Sequence, residues 1–125
     1  MRQCKPFLIF CLLMALLFAP ISARALDGPL MKGRALQLLC TSSKTDDLFS
    51  CQSYIAGIID YHNLLKSLGA APSVDFCVPQ AVTMSQLKQV VTIYIAAHTE
   101  HQDFIASPGV VMALYNAYPC GRARR

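Results

Sequence analysis

The residues of this chain best equipped for chemistry are its six cysteines and three histidines. Four of the cysteines, Cys40, Cys51, Cys77 and Cys120, stand in the body of the chain, together with His62, His98 and His101. A thiolate beside an imidazole makes a nucleophile and its base, thiols and imidazoles together ligate borderline metals, and paired thiols oxidise to disulfides. The spacing discriminates among these uses. A structural zinc site wants close Cys-x-x-Cys pairs, and these four thiols are spread without one. His98 and His101 would share a helix face, with Glu100 and Asp103 alongside, if the preceding helix ran on through Glu100, and such a face holds a borderline metal only weakly. No zincin motif accompanies them, so a polar, solvated helix end is the expectation there. His62 falls on the stripe side of its helix and is expected to be partly buried and hydrogen-bonded.

An even count of cysteines in an exported chain of about 100 residues reads as two disulfides, with three pairings open. That use leaves no free thiolate for a Cys–His enzyme. No Gly-x-Ser-x-Gly turn, phosphate-cradling glycine loop or plausible carboxylate pair is found. The residues therefore give no reason to expect an enzyme, a metal or a cofactor.

Export is inferred from the first 25 residues. Met1-Arg2-Gln3-Cys4-Lys5 is positively charged, Phe7 to Phe18 is apolar and uncharged, and Ala23-Arg24-Ala25 is a small-x-small cleavage pattern. The apolar run ends at Pro20, short of the roughly 20 residues a membrane-spanning helix needs. Cleavage after Ala25 removes Cys4 and Cys11, and no membrane attachment is expected afterwards. The whole chain has 11 basic and 7 acidic residues. Losing Arg2, Lys5 and Arg24 brings it close to neutral. Lys32, Arg34, Lys44, Lys66 and Lys88 are scattered among acids, so no basic face for nucleic acid is expected. Arg122, Arg124 and Arg125 read as a solvated tail.

The elements that must position these groups are helical. Residues 26–125 carry no repeat or long linker and read as one domain, an all-α, disulfide-braced bundle of about four helices. Asp27-Gly28-Pro29 offers a cap for a first helix with Met31, Ala35, Leu38 and Leu39 at helical spacing up to Cys40. After the polar Thr41-Ser42-Ser43-Lys44, Asp46 and Asp47 open a longer helix with Cys51, Tyr54, Ile55, Ile58 and Leu65 on one stripe, stopped by Gly69. Gly57 inside it suggests a close neighbour packed there. Gly69 to Pro79 is the longest connection. Thr83 and Gln86 stand at capping-box spacing before Leu87, Val90, Val91, Tyr94 and Ile95, the strongest amphipathic pattern of the chain. A last helix is expected from Ser107-Pro108, with Val111, Leu114, Tyr115 and Tyr118 on its stripe, ending at Pro119-Cys120. The valines and isoleucines suit strands too, but the 3.6 period and the cap signals favour helices.

Four segments in order carry a specific likeness: Cys51-Gln52-Ser53-Tyr54-Ile55-Ala56-Gly57-Ile58-Ile59-Asp60, Phe76-Cys77-Val78-Pro79, Gln86-Leu87-Lys88-Gln89-Val90-Val91 and Ala117-Tyr118-Pro119-Cys120. Together they resemble the Rap/Tai family of type VI secretion immunity proteins, over nearly the whole body from Cys40 to Cys120. The resemblance implies a periplasmic, all-helical, disulfide-containing protein that binds and blocks a peptidoglycan amidase effector, often as a homodimer. It also implies a partner-binding surface on the exposed side of the Met84–His98 helix and the turn Thr99, Glu100, His101, Gln102 and Asp103. The alternative, from another class, is a small periplasmic acid-stress chaperone or general protein-binding domain. That class needs many acid-titrating groups, and seven acidic residues are few.

Overall fold

The computed structural model describes residues 30–70 and 72–121. The expected leader, the Asp27-Gly28-Pro29 cap and the terminal arginines lie outside the described residues. Four α-helices follow in chain order: α1 (Gly33–Thr41), α2 (Thr45–Ser67), α3 (Met84–Ala97) and α4 (Ala106–Ala117), with a 3-10 turn, Thr99–His101, before the last. Extended pairing among the described residues is confined to two isolated bridges, Lys32 with Ile105 and Phe76 with Pro119. The all-α bundle of four helices is thus the fold.

α1, α3 and α4 feed the core about once per turn, whereas the longer α2 does so through its first half. α1 buries Leu36 and Cys40, α2 buries Cys51 and Ile55, α3 buries Leu87, Val91 and Ile95, and α4 buries Ala106, Val110, Ala113 and Leu114. Phe76, from the long connection, completes the cluster. Burying one such aliphatic or aromatic side chain stabilises by about 1.5–3 kcal/mol, so the core rests on few residues. The two disulfides are Cys40–Cys51 and Cys77–Cys120, with Cα–Cα distances of 5.1 and 4.9 Å. The first ties α1 to α2 across their short loop. The second ties the long connection to the segment after α4.

The helix ends follow local chemistry. α2 has Asp46 and Asp47 in its first turn and Lys66 in its last, both favourable to the helix dipole. It stops at Gly69, whose φ of 72° is open to glycine, while Gly69 N–H donates to Lys66 O and Ala70 N–H to Leu65 O. This is the Schellman arrangement. At α3, Gln86 N–H donates to Thr83 Oγ1 and Thr83 N–H to Gln86 Oε1, a closed capping box.

Three expectations need correction. In α1 the inward residue is Leu36, whereas Ala35 and Leu38 face out, Leu38 being 67% exposed. Cys40 is fixed inward by its bond to Cys51, so at 3.6 residues per turn position 36 shares its face and position 38 lies across the helix. Gly57 has no close neighbour: a Cβ there would meet nothing within 4 Å. α4 begins at Ala106 with Ile105 as its N-cap, two residues before the expected cap Ser107, and Pro108 sits in the first turn. Its buried face is Ala106, Gly109, Val110, Ala113 and Leu114, with Tyr115 exposed. Small residues permit close helix approach here, and a pattern weighted by side-chain bulk misses them. The condition for His98 and His101 to share a helix face is not met, since α3 ends at Ala97 and does not run on through Glu100.

Candidate functional site

The turn expected to bind a partner is held from two sides. On the α3 side, His98 N–H donates to Tyr94 O at 3.0 Å, and the His98 Nδ1 lies 2.9 Å from the same carbonyl, which makes it the protonated ring nitrogen. The His98 ring stacks on Tyr94 with centroids 3.9 Å apart. His101 N–H then donates to His98 O and Gln102 N–H to Thr99 O, closing the 3-10 turn. Gln102 Nε2 reaches back to Ile95 O at 3.4 Å.

On the α1 side the main bonds run through backbone. The first N–H groups of a helix lack intrahelical partners, and Lys32, the N-cap of α1, gives no side-chain bond. Gly33 N–H instead donates to Phe104 O at 3.0 Å and Arg34 N–H to Gln102 O at 2.8 Å. The turn's carbonyls therefore cap α1, and α1 in return fixes the turn. Gly33 makes this contact possible, because a Cβ there would run into the backbone carbonyl of His101. Neither Gly33 nor Phe104 stood out in the sequence. Only the presence of glycine in the first turn of a helix hinted at the former.

Thr99, Glu100 and Asp103 are exposed, His101 and Gln102 half-buried, and Phe104 is 58% exposed beside them. Asp103 Oδ1 pairs with Arg34 at 3.4 Å, a solvent-exposed contact worth little by itself. Burial, followed by the Glu100 carboxylate, pushes the Tyr94 phenol above its ordinary value, so it stays neutral and can donate a hydrogen bond. The face the turn presents to solvent is thus short and mixed: two acids, an imidazole and one bare aromatic ring.

Metal chemistry finds no convergence at this turn. The His98 and His101 rings lie 6.2 Å apart and tilted by 52°, and His98 Nδ1 is engaged by Tyr94 O. Among the described residues the grouping with ligand spacing is Asp75, Cys77 and Cys120, and its two sulfurs are bonded to each other.

His62 is buried, as expected, with 5% exposure. Its Nε2 donates to Asp75 Oδ1 at 3.0 Å, and its ring stacks on Phe76 at 3.8 Å. Phe76 N–H also points at that nitrogen from 3.5 Å, but a nitrogen that donates to a carboxylate has no lone pair to accept. The shorter contact therefore sets the tautomer. Lys66 Nζ donates to the same Asp75 oxygen at 3.0 Å. That bond holds the Asp75 carboxyl below its ordinary value; partial desolvation opposes the shift and the His62 bond adds to it.

A third feature went unseen in the sequence. Tyr61, Leu64 and Leu68 stand exposed along α2, and Gly57, Ile58, Tyr61 and Leu65 border an apolar groove of about 590 Å³, closed opposite by Pro108 and Val111. The low side of that groove is where Gly57 lies bare.

These features define a small helical domain braced by two disulfides, with all four cysteines of the described residues held in bonds. The family model of the Rap1a immunity proteins matches residues 32–120. The chain belongs to that family. The matched span opens at Lys32, which bridges to Ile105, and closes at Cys120, so it contains all four helices, the anchored turn and both disulfides. Comparison with curated proteins and with solved structures finds no match.

Proposed function

We propose that the protein is a periplasmic immunity protein that binds a peptidoglycan amidase effector of a type VI secretion system and blocks its cleft with the Thr99–Asp103 turn. The observation that carries this reading is membership of the Rap1a immunity proteins, whose name implies a cognate toxin as partner. Two disulfides fit a protein working outside the reducing cytoplasm. No helix of the described residues is long and apolar enough to cross a membrane.

The turn supports the blocking role through its rigidity. A segment already ordered by backbone bonds to α1 and α3 loses little entropy on docking, and its acids set encounter rate and partner choice more than affinity. The apolar face of α2, with Tyr61, Leu64 and Leu68, supports pairing of two copies as a homodimer.

The experiment is a pull-down of the exported protein against the product of each neighbouring reading frame, scored by inhibition of peptidoglycan cleavage, with the mass of the free protein read by light scattering. One tightly bound, inhibited amidase is expected. Replacing Glu100, His101 and Asp103 together should weaken that complex without unfolding the domain; unaltered affinity removes the turn from the interface. Absence of any partner, with client aggregation suppressed only at low pH, would transfer the assignment to a chaperone.

A further inference from the structure

The two disulfides sit in different environments. Cys40 and Cys51 are 3% and 0% exposed and belong to the core. Cys77 is exposed and Cys120 half-buried, outside it. Lys66 Nζ lies 3.5 Å from the sulfurs of both Cys77 and Cys120. An Asp75 carboxylate oxygen and both sulfurs lie within 4.8 Å of one another. An ammonium in contact with two sulfurs is what a reactive cysteine needs, because it stabilises the thiolate that forms when the bond opens.

We propose that Cys77–Cys120 is a thiol-exchange site, at which an external thiolate, from a small thiol or a thioredoxin-class dithiol, attacks Cys77 Sγ and expels Cys120 as a thiolate held by Lys66. The attacking sulfur forms its bond to Cys77 Sγ as the Sγ–Sγ bond breaks, and the electron pair goes to Cys120 Sγ. A second thiolate then attacks the added sulfur of the mixed disulfide, forming the external disulfide and releasing Cys77. Two external thiolates are oxidised to one disulfide, one protein disulfide is reduced, Cys120 departs as the thiolate paired with Lys66, and Cys77 departs as a thiolate that takes a proton from solvent. Exchange rate rises as the leaving thiol becomes more acidic and more accessible. Exposure selects Cys77 as the sulfur attacked, and Lys66 lowers the barrier by stabilising the departing Cys120. Asp75 works in the opposite sense, since it repels an approaching thiolate and engages Lys66 for itself. Lys66 is here a positioning charge and makes no covalent bond.

The site would take a mixed disulfide as a modification, and its opening loosens a defined segment. Cys77 N–H donates to Tyr118 O at 2.7 Å, and Phe76 bridges Pro119. Those are the backbone ties left to the end of the chain once the sulfurs part.

The test treats the folded, fully oxidised protein with reduced glutathione without denaturant, quenches with N-ethylmaleimide at intervals and maps the cysteine peptides by mass. Cys77 and Cys120 should be labelled while Cys40–Cys51 stays bonded, with the glutathione adduct on Cys77. Lys66→Met should slow opening by about three- to tenfold, Lys66→Arg should retain most of the rate, and Asp75→Asn should accelerate it. The opposite signs of the Lys66 and Asp75 effects separate charge control from a general loosening of the fold, which would speed both. Opening of the two bonds at one rate, an adduct on Cys120, or Lys66→Met at the parental rate would overturn the proposal.

Discussion

Two glycines in helices should respond to the same substitution with opposite signs. Gly57 lies mid-way along α2, and nothing stands within 4 Å of where its Cβ would be. Gly57→Ala should therefore add stability of about 0.5–1 kcal/mol, through lower unfolded-state entropy and better helix propensity. Gly33 opens α1, and there a Cβ meets the His101 carbonyl, with Gln102 Cα only 3.3 Å away. Both obstacles are backbone and cannot rotate aside. Relief requires the start of α1 to part from the turn, which breaks the bonds from Gly33 to Phe104 and from Arg34 to Gln102. At about 1 kcal/mol net for each bond, with overpacking of about 1–3 kcal/mol where the parting is incomplete, Gly33→Ala should cost about 2–4 kcal/mol. For a domain of this size, about 1 kcal/mol moves the Tm by roughly 4–8 °C. Circular dichroism melts of the oxidised protein, with urea unfolding for the free energies, read both variants. A Gly33→Ala protein that melts at or above the parent would refute the interlock between α1 and the turn.

The remaining predictions concern the cysteines and acid. Removing Cys77–Cys120, with a separation of 43 residues, should cost about 4 kcal/mol by loop-closure entropy, and removing Cys40–Cys51, with a separation of 11, about 3 kcal/mol. Paired Cys→Ala variants under urea test this, and an unchanged midpoint for either pair refutes it. Asp75 has a folded value lowered from its ordinary 3.8, chiefly by Lys66. Its contribution is therefore present above that ordinary value and lost as pH falls through the lowered one. Asp75→Asn should flatten stability between neutral pH and the acid range below it, as read by urea midpoints along a pH series; an unchanged pH slope would count against the Lys66–Asp75 contact.

Where the sequence was informative, one local interaction decided the outcome. The α3 capping box, the Gly69 stop and the Leu87, Val91, Ile95 stripe each depend on residues within a turn or two of one another, and all three stand in the structure. The phase of α1 and α4 was not legible, because long-range contacts choose it. Leu38 and Leu36 are chemically alike, and only the direction imposed by Cys40–Cys51 puts the latter inside. Gly109 and Ala113 of α4 are buried, Gly109 against Ile95 of α3 and His101 of the turn, neighbours that the α4 pattern itself does not reveal. Gly33 and Gly57 show the same limit from both directions. A glycine in a helix implies a neighbour in one case and none in the other, and sequence alone does not say which. The family likeness directed attention to Thr99 to Asp103, whereas the packing of that turn against the N-terminus of α1 was visible only in three dimensions.

The position of α1 decides which disulfide the anchored turn depends on. A helix of nine residues is too short to hold itself in water. It is pinned at one end by the carbonyls of Gln102 and Phe104, and at the other by the bond from Cys40 to Cys51. The anchored turn therefore depends on Cys40–Cys51 through α1, and that bond lies in the core, where thiols have no access. Cys77–Cys120 ties the long connection to the end of the chain and supplies no bond to the turn. Opening it should leave the backbone capping of α1 in place. On the roles proposed for the turn and for Cys77–Cys120, exchange at the edge would leave the rigid turn intact, because the accessible sulfurs lie outside the interlock.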